Sequence, residues 1–184
     1  GIGLCVAEGL HQRGYRVFAS TRRKEDMDLM KQKGMESLRI DLNDSESIKE
    51  AVNTLLAKTS GSLYGLFNNG GYGQPGAVED LNRDALREQF ESNVFGGMEL
   101  TQLVLPAMRR QGFGRIIQNS SILGLLVLPY RGAYAGSKFA LEGMTHALRM
   151  ELEGTGIYVS LINSGRILTD HMKKSNENYC DGLC

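Results

Sequence analysis

Tyr134 and Lys138 stand four residues apart, the spacing that puts two side chains on one face of a helix. A lysine ammonium beside a phenol favours the phenolate. Bringing a tyrosine from a pKa of about 10 to about 7 takes about 4 kcal/mol of differential interaction. A charge at short range in a partly dry cleft supplies that scale, and a tyrosine so tuned acts as acid or base near neutral pH. The same spacing also describes an ordinary surface Tyr–Lys pair, so the pair needs supporting residues before it means chemistry.

Several other short runs are candidates for that support. Gly1-Ile2-Gly3 opens a helical pattern, where backbone N–H groups and a helix N-terminus could face a phosphate; a plain turn is the alternative. Asn68-Asn69-Gly70-Gly71 follows a strand pattern. Turn chemistry accounts for it, but ligands of open α/β sheets also bind at the carboxyl ends of strands. Ser120 and Ser121 end another strand pattern at the same edge. The run Gln118-Asn119-Ser120-Ser121-Ile122 lacks both glycines of a nucleophile elbow, which argues against a hydrolase. His11, His146 and His171 show no metal-ligand spacing, so no metal is expected. Asn93 falls in a long helical pattern, where an asparagine ordinarily faces solvent or caps.

These residues need a scaffold, and the chain spells one. Candidate strands are Arg16–Ser20, Ser37–Asp41, Tyr64–Asn68, Arg115–Asn119 and Tyr158–Asn163. Candidate helices lie between them at Gly3–Arg13, Glu25–Lys33, Ser45–Lys58, Arg83–Arg110 and Tyr134–Glu153. In the last, Phe139, Leu141, Met144, Ala147, Leu148 and Leu152 recur near helical spacing. Asp44-Ser45-Glu46-Ser47 supplies cap residues. Gly61, Gly112 and Gly114 mark returns from helix to strand. Alternating strands and helices imply βαβ units, hence a Rossmann-like, doubly wound parallel sheet with helices on both faces. No repeat or linker divides residues 1–184, which read as a single domain.

Composition narrows the function classes. The 184 residues carry 21 Lys plus Arg and 21 Asp plus Glu, for a net charge of zero. That gives no bulk electrostatic reason to bind nucleic acid or an anionic membrane. Apolar residues are 41% and charged residues 23%, ordinary for a globular protein. No apolar run approaches the roughly 20 residues that span a bilayer. Three cysteines (Cys5, Cys180 and Cys184) are too few for a disulfide framework, so a cytoplasmic location is expected. Glycine is frequent at 23 residues, against only 3 prolines, which points to tight turns and close backbone approaches rather than disorder.

Taken together, these residues resemble the short-chain dehydrogenase/reductase family, nearest to its bacterial NADPH-dependent aldehyde reductases. Tyr134-x-x-x-Lys138 looks like the family's active-site motif, and Ser121 lies thirteen residues before Tyr134, the family's spacing. Asn68-Asn69-Gly70-Gly71 resembles its Asn-Asn-Ala-Gly motif, with Gly70 in place of Ala. Gly1-Ile2-Gly3 looks like the end of its glycine-rich turn. Asn93, in Asn-Val-Phe-Gly, matches its active-site asparagine.

The resemblance implies that residues 1–184 are a single, incomplete dinucleotide-binding and catalytic domain, and it implies roles for its residues. Tyr134 would protonate the carbonyl oxygen during reduction, Lys138 would tune Tyr134 and bind the nicotinamide ribose, Ser121 would hold the carbonyl, and Asn93 would position a relay water. Asp41 resembles the residue that meets the adenine, and Leu42 its packing neighbour. Asn69, Gly70 and Gly71, with Gly165, Ile167 and Thr169 further on, would also line the cofactor site. The second strand ends in Thr21, and Arg22 and Arg23 follow where an NAD enzyme would place a carboxylate on the ribose 2′-OH. Two arginines suit a 2′-phosphate instead, so NADP(H) is expected, with Arg22 the leading contact and Arg23 the second. The implied partners are a small carbonyl or alcohol substrate and further copies of the chain, as a homodimer or homotetramer built on Arg83–Arg110 and Tyr134–Glu153.

Two departures from the family set further expectations. Its Pro-Gly-Pro loop aligns with Ser164-Gly165-Arg166, which loses two prolines and adds a charge. No strand precedes Gly1, so the first strand and the C-terminal strand are expected to be missing, leaving an incomplete sheet. The run Ile122–Pro129 is apolar and would border the substrate pocket, or else belong to the core. A non-catalytic nucleotide-binding or regulatory module on the same fold is the competing reading. It gives no reason for Asn93, Ser121, Tyr134 and Lys138 to occur together.

Overall fold

The computed structural model describes residues 1–165 and Ile167; Arg166 and residues 168–184, Thr169 among them, lie outside the description. Helix α1 (Ile2–Gln12) leads to β1 (Phe18–Thr21), α2 (Lys24–Gln32), β2 (Glu36–Arg39), α3 (Ser45–Lys58) and β3 (Gly65–Asn68). Then come α4 (Arg83–Phe90), a π turn (Glu91–Phe95), α5 (Gly96–Gln111) and β4 (Gly114–Asn119). A 3₁₀ turn (Ile122–Gly124), α6 (Gly132–Glu151) and β5 (Ile157–Ile162) complete the order. All strand pairs are parallel, and helices cover both faces, as the strand–helix alternation requires.

The sheet is in two pieces. β1 pairs with β2 from Phe18↔Glu36 to Thr21↔Arg39. β4 is central in the other piece, with β3 on one side (Gly65↔Arg115) and β5 on the other (Gly114↔Ile157). No described strand joins β1 to β3, so the expected gap lies between them. Helix α1 has no buried residue.

Helix α3 ties the two pieces together. Its Ile48 and Val52 pack with Leu100, Val104 and Met108 of α5 and with Ile116, Ile157 and Val159 of β4 and β5. Its Ala51 and Leu55 pack on Leu38 of β2. Each fully buried aliphatic side chain contributes roughly 1.5–3 kcal/mol, so this helix anchors both pieces. It begins as its sequence suggests: Asp44 accepts hydrogen bonds from the N–H groups of Glu46 and Ser47.

Most elements fall within two residues of the sequence expectation, the range over which helix and strand ends vary. The long helical pattern Arg83–Arg110 does not. It is interrupted at Glu91–Phe95 by a turn of π helix that carries Asn93. The apolar run after Ser121 is not core either. Leu125, Leu126, Val127 and Leu128 are all exposed, and Gly124 is buried.

Candidate active site

At the carboxyl edge of the larger sheet piece, the end of β4 meets a buried cation. Lys138, in the second turn of α6, is only 5% exposed. Its Nζ donates to the main-chain oxygen of Asn119, at the end of β4, at 2.8 Å. The same Nζ lies 5.7 Å from the centre of the Tyr134 ring. Burial brings the Lys138 ammonium down to about 8, against the opposing negative charge of Glu142. The amine therefore gives up its proton more readily than a solvated lysine, while staying mostly charged below that value.

Ser121 follows β4 directly and is buried. Its Oγ accepts a hydrogen bond from the N–H of Leu123 at 3.1 Å, capping the 3₁₀ turn. With an acceptor position so used, the hydroxyl hydrogen remains to be donated. The Tyr134 hydroxyl has no hydrogen-bond partner among the described residues, and its ring lies against Gly73, where a Cβ would come within 3.5 Å of the ring. Two polar atoms at the end of β4, Oδ1 of Asn119 and Oγ of Ser120, are buried without a partner. Unpaired buried acceptors of this kind are costly and mark places where a ligand or water belongs.

The π turn gives Asn93 a structural task that the sequence does not disclose. Asn93 is 4% exposed. Its Oδ1 accepts from the N–H of Tyr72 at 2.9 Å, and its Nδ2 donates to the Tyr72 oxygen at 2.8 Å and to Ser137 Oγ at 3.1 Å. Gln89, fully buried four residues earlier, does the same for the next residues. It accepts from the N–H of Gln74 at 2.7 Å and donates to the oxygen of Tyr72 at 2.9 Å. The loop after β3 is thus clamped by two amides to the helix pair that flanks α6.

At the other side of the site, residues far apart in sequence meet closely. A Cβ on Gly3 would come 2.8 Å from Nδ2 of Asn69. One on Gly70 would come 2.5 Å from Leu42, and one on Gly71 would come 2.8 Å from Oδ1 of Asn93. At each of these positions a side chain would collide with its neighbour, so the close approach of these segments requires glycine. Asn69 is itself fixed, its Oδ1 accepting from Asn119 Nδ2 at 2.8 Å. Asn68 points elsewhere, donating to Gly97 and Thr101 of α5. Asp41 accepts from the N–H of Asn43. Beyond β1, Arg23 is engaged by Asp26 through Nε at 2.8 Å and through its second nitrogen at 3.0 Å. Arg22 is exposed and has no ion pair among the described residues, which leaves it the freer of the two cations. Gly1 and Ile2 start α1, and Gly165 and Ile167 follow β5. Thr169 and Arg166 lie outside the described residues. A dinucleotide fits this edge: glycine-lined backbone, unpaired buried acceptors and a free arginine line the carboxyl ends of the strands.

Residues 1–180 match the short chain dehydrogenase family. The chain belongs to that family of oxidoreductases. It is 43% identical over 181 residues to the uncharacterized oxidoreductase YbbO of Escherichia coli (strain K12), covering 98% of this chain and 67% of that protein. It is 34% identical to the 3-ketodihydrosphingosine reductase of Bacteroides thetaiotaomicron, covering all of this chain and 69% of that one. An actinorhodin polyketide ketoreductase variant solved with NADPH superposes with a TM-score of 0.91 at 29% identity, over all of this chain and 73% of the other.

For this short-chain dehydrogenase, sequence reading misses Gln89, Ser137, Asn119, Glu142 and Asn163. All are polar residues in helices or at strand ends, and their inward direction appears only once the elements pack. Among the described residues no helix is long and apolar enough to cross a membrane.

The depressed Lys138 amine has a measurable consequence for stability. Between about pH 8 and 10.5 the unfolded chain keeps a proton on this lysine that the folded chain has lost. Stability therefore rises with pH across that window and carries the full penalty below it. Relative to Lys138→Met, urea unfolding of the parent should gain about 3 kcal/mol from pH 8 to 10.5. A difference that stays flat over that range would contradict the burial of this charge.

Proposed function

We propose that the chain is an NADPH-dependent reductase that interconverts apolar aldehydes or ketones with alcohols. The observation that carries this reading is the buried Lys138 amine, fixed on Asn119 beside a tyrosine whose hydroxyl has no protein partner. When bound, NADPH supplies the hydride, a species that no protein side chain delivers.

The chain's own residues supply placement and the proton. Ser121 donates its free hydroxyl hydrogen to the carbonyl oxygen and fixes its direction. Tyr134 gives its hydroxyl proton to the same oxygen as charge develops there. Lys138 holds positive charge on the same helix face as the phenolic oxygen left behind. Asn93 keeps the loop of Tyr72 against this site and lies next to Ser137, from which a relay water could reach Lys138.

Gly1–Gly3, Asp41, Leu42, Asn69–Gly71, Gly165, Ile167 and Thr169 would hold the dinucleotide, and Arg22, ahead of Arg23, would meet its 2′-phosphate. The preference for NADP(H) is supported by the absence of a carboxylate after β1 and by the unengaged Arg22. The exposed Leu125–Leu128 run supports an apolar substrate. We further propose a cytoplasmic homodimer or homotetramer, supported by the exposed Leu86, Phe95, Phe139 and Met144 on α4, the π turn and α6; light scattering that finds only monomer would remove it.

Fluorescence titration with NADPH and NADH, side by side, tests the cofactor reading. NADPH should saturate about tenfold more tightly, and Arg22→Ala should remove most of that difference; one charge-assisted contact is worth roughly this much. Tyr134→Phe should bind NADPH as the parent does while turnover falls about 10²–10⁴-fold. Equal affinity for both cofactors, or full turnover in Tyr134→Phe, would overturn the corresponding half of the reading.

A further inference from the structure

Glu142 is the one buried acidic residue among the described residues, and the chemistry above leaves it without a task. It lies one turn beyond Lys138 on α6 and is 7% exposed. Its Oε1 accepts a hydrogen bond of 2.6 Å from Nδ2 of Asn163, just after β5. The same Nδ2 donates to the main-chain oxygen of Ser121 at 3.3 Å. A Cβ on Gly124 would come 3.1 Å from both Cγ and Oε1 of Glu142. The carboxyl therefore runs tightly beneath the 3₁₀ turn that Ser121 caps, and the glycine leaves it room. A buried carboxyl is retained at low cost only when its oxygens are matched. Here one oxygen is matched by Asn163, and the other lies 3.7 Å from Nε2 of the exposed His146.

We propose that Glu142 is a positioning residue for this site: its carboxylate holds Asn163, and through Asn163 the Ser121 main chain, in register with the helix that carries Tyr134 and Lys138. The inference rests on the reductase reading of Ser121, Tyr134 and Lys138. Three elements meet at this point: the end of β4 through Ser121, the end of β5 through Asn163, and α6 through Glu142 itself. A side chain that couples all three fixes the distance between the serine that orients a carbonyl and the tyrosine that protonates it. The charged groups around Glu142 are Lys138 and His146 on its own helix, with Arg149 donating to His146 at 3.1 Å. The 3₁₀ turn contributes no charge, and Asn163 is neutral. Glu142 is also the one charged group that raises the Lys138 amine against its burial.

The test compares the full chain with Glu142→Gln, Glu142→Ala and Glu142→Asp. Two NMR signals are read, the Asn163 side-chain amide and the titration of the Lys138 ε-amine, with NADPH-dependent turnover measured alongside. Glu142→Gln should keep a protected Asn163 amide, because the new amide oxygen still accepts, while the Lys138 amine titrates below its parent value. Glu142→Ala should lose the protected amide as well. Its kcat should fall about 10²-fold, the scale of a small misplacement of reacting groups, with KM for NADPH near the parent value. Glu142→Asp should keep the Lys138 titration near that of the parent and recover part of kcat.

The proposal is overturned if Glu142→Ala folds with the Asn163 amide, the lysine titration and kcat all at parent values. If Glu142→Ala does not fold, Asn163→Ala with kcat at the parent value overturns it equally, because the coupling runs through Asn163. A parent chain without turnover would sink the reductase reading, while the two NMR signals would still decide the placement of Glu142.

Discussion

Burying the Lys138 ammonium is the constraint around which the site is arranged. Removing such a charge from water costs several kcal/mol even after relaxation, and the protein offsets this with few partners. One is a main-chain oxygen, that of Asn119, at the end of the central strand of the larger sheet piece. The other is the charge of Glu142 one turn away. The donor is therefore aimed at a strand end, and that strand end also carries Ser121. The helix that buries the lysine brings Tyr134 with it, four residues earlier. The amine, the phenol and the serine thus belong to one rigid junction between β4 and α6.

The rest of the polar interior serves that junction. Gln89 and Asn93 hold the loop of Tyr72 and Gln74 through main-chain hydrogen bonds, and Asn93 adds a bond to Ser137 of α6. Thr101 gathers Asn68 of β3 and Gln118 of β4 against α5. Each is a fully or nearly buried polar group whose loss would leave unpaired partners, at about 1–3 kcal/mol apiece. The π turn at Glu91–Phe95 belongs to the same scheme, since interruptions of this kind occur mostly at functional positions. The smaller sheet piece, β1 and β2, leads into Arg22 and Leu42 and reaches the larger piece through α3. The separation of β1 from β3 makes that helix's two-sided packing important for keeping Leu42 against Gly70.

Much of this was legible in the residues. The strand–helix alternation implied the doubly wound architecture. The Asp44 cap placed the start of α3, and the spacing of Tyr134 and Lys138 placed both on one helix face. What could not be read is equally specific. Periodicity cannot tell a buried polar side chain from a solvated one, so nothing in the helical pattern marks Gln89 or Ser137 as buried, and Asn93 stood out only through the family resemblance. The π turn arises from contacts between α4, α6 and the loop after β3, which no local pattern encodes. Nothing local marks Glu142 as buried, because its partner, Asn163, lies just past a strand end twenty-one residues away. The run Ile122–Pro129 read as either pocket wall or core, and only packing shows that Leu125, Leu126, Val127 and Leu128 are exposed.

The most direct test of the account follows the hydride itself. NADPH deuterated at nicotinamide C4 is incubated with the chain and an apolar ketone in ordinary water, and the alcohol is analysed by mass spectrometry. The account predicts one deuterium on the carbinol carbon, a solvent-derived hydrogen on the oxygen, and at most a small fraction of that product with Lys138→Met. Alcohol without deuterium at that carbon, or equal transfer with Lys138→Met, would contradict it.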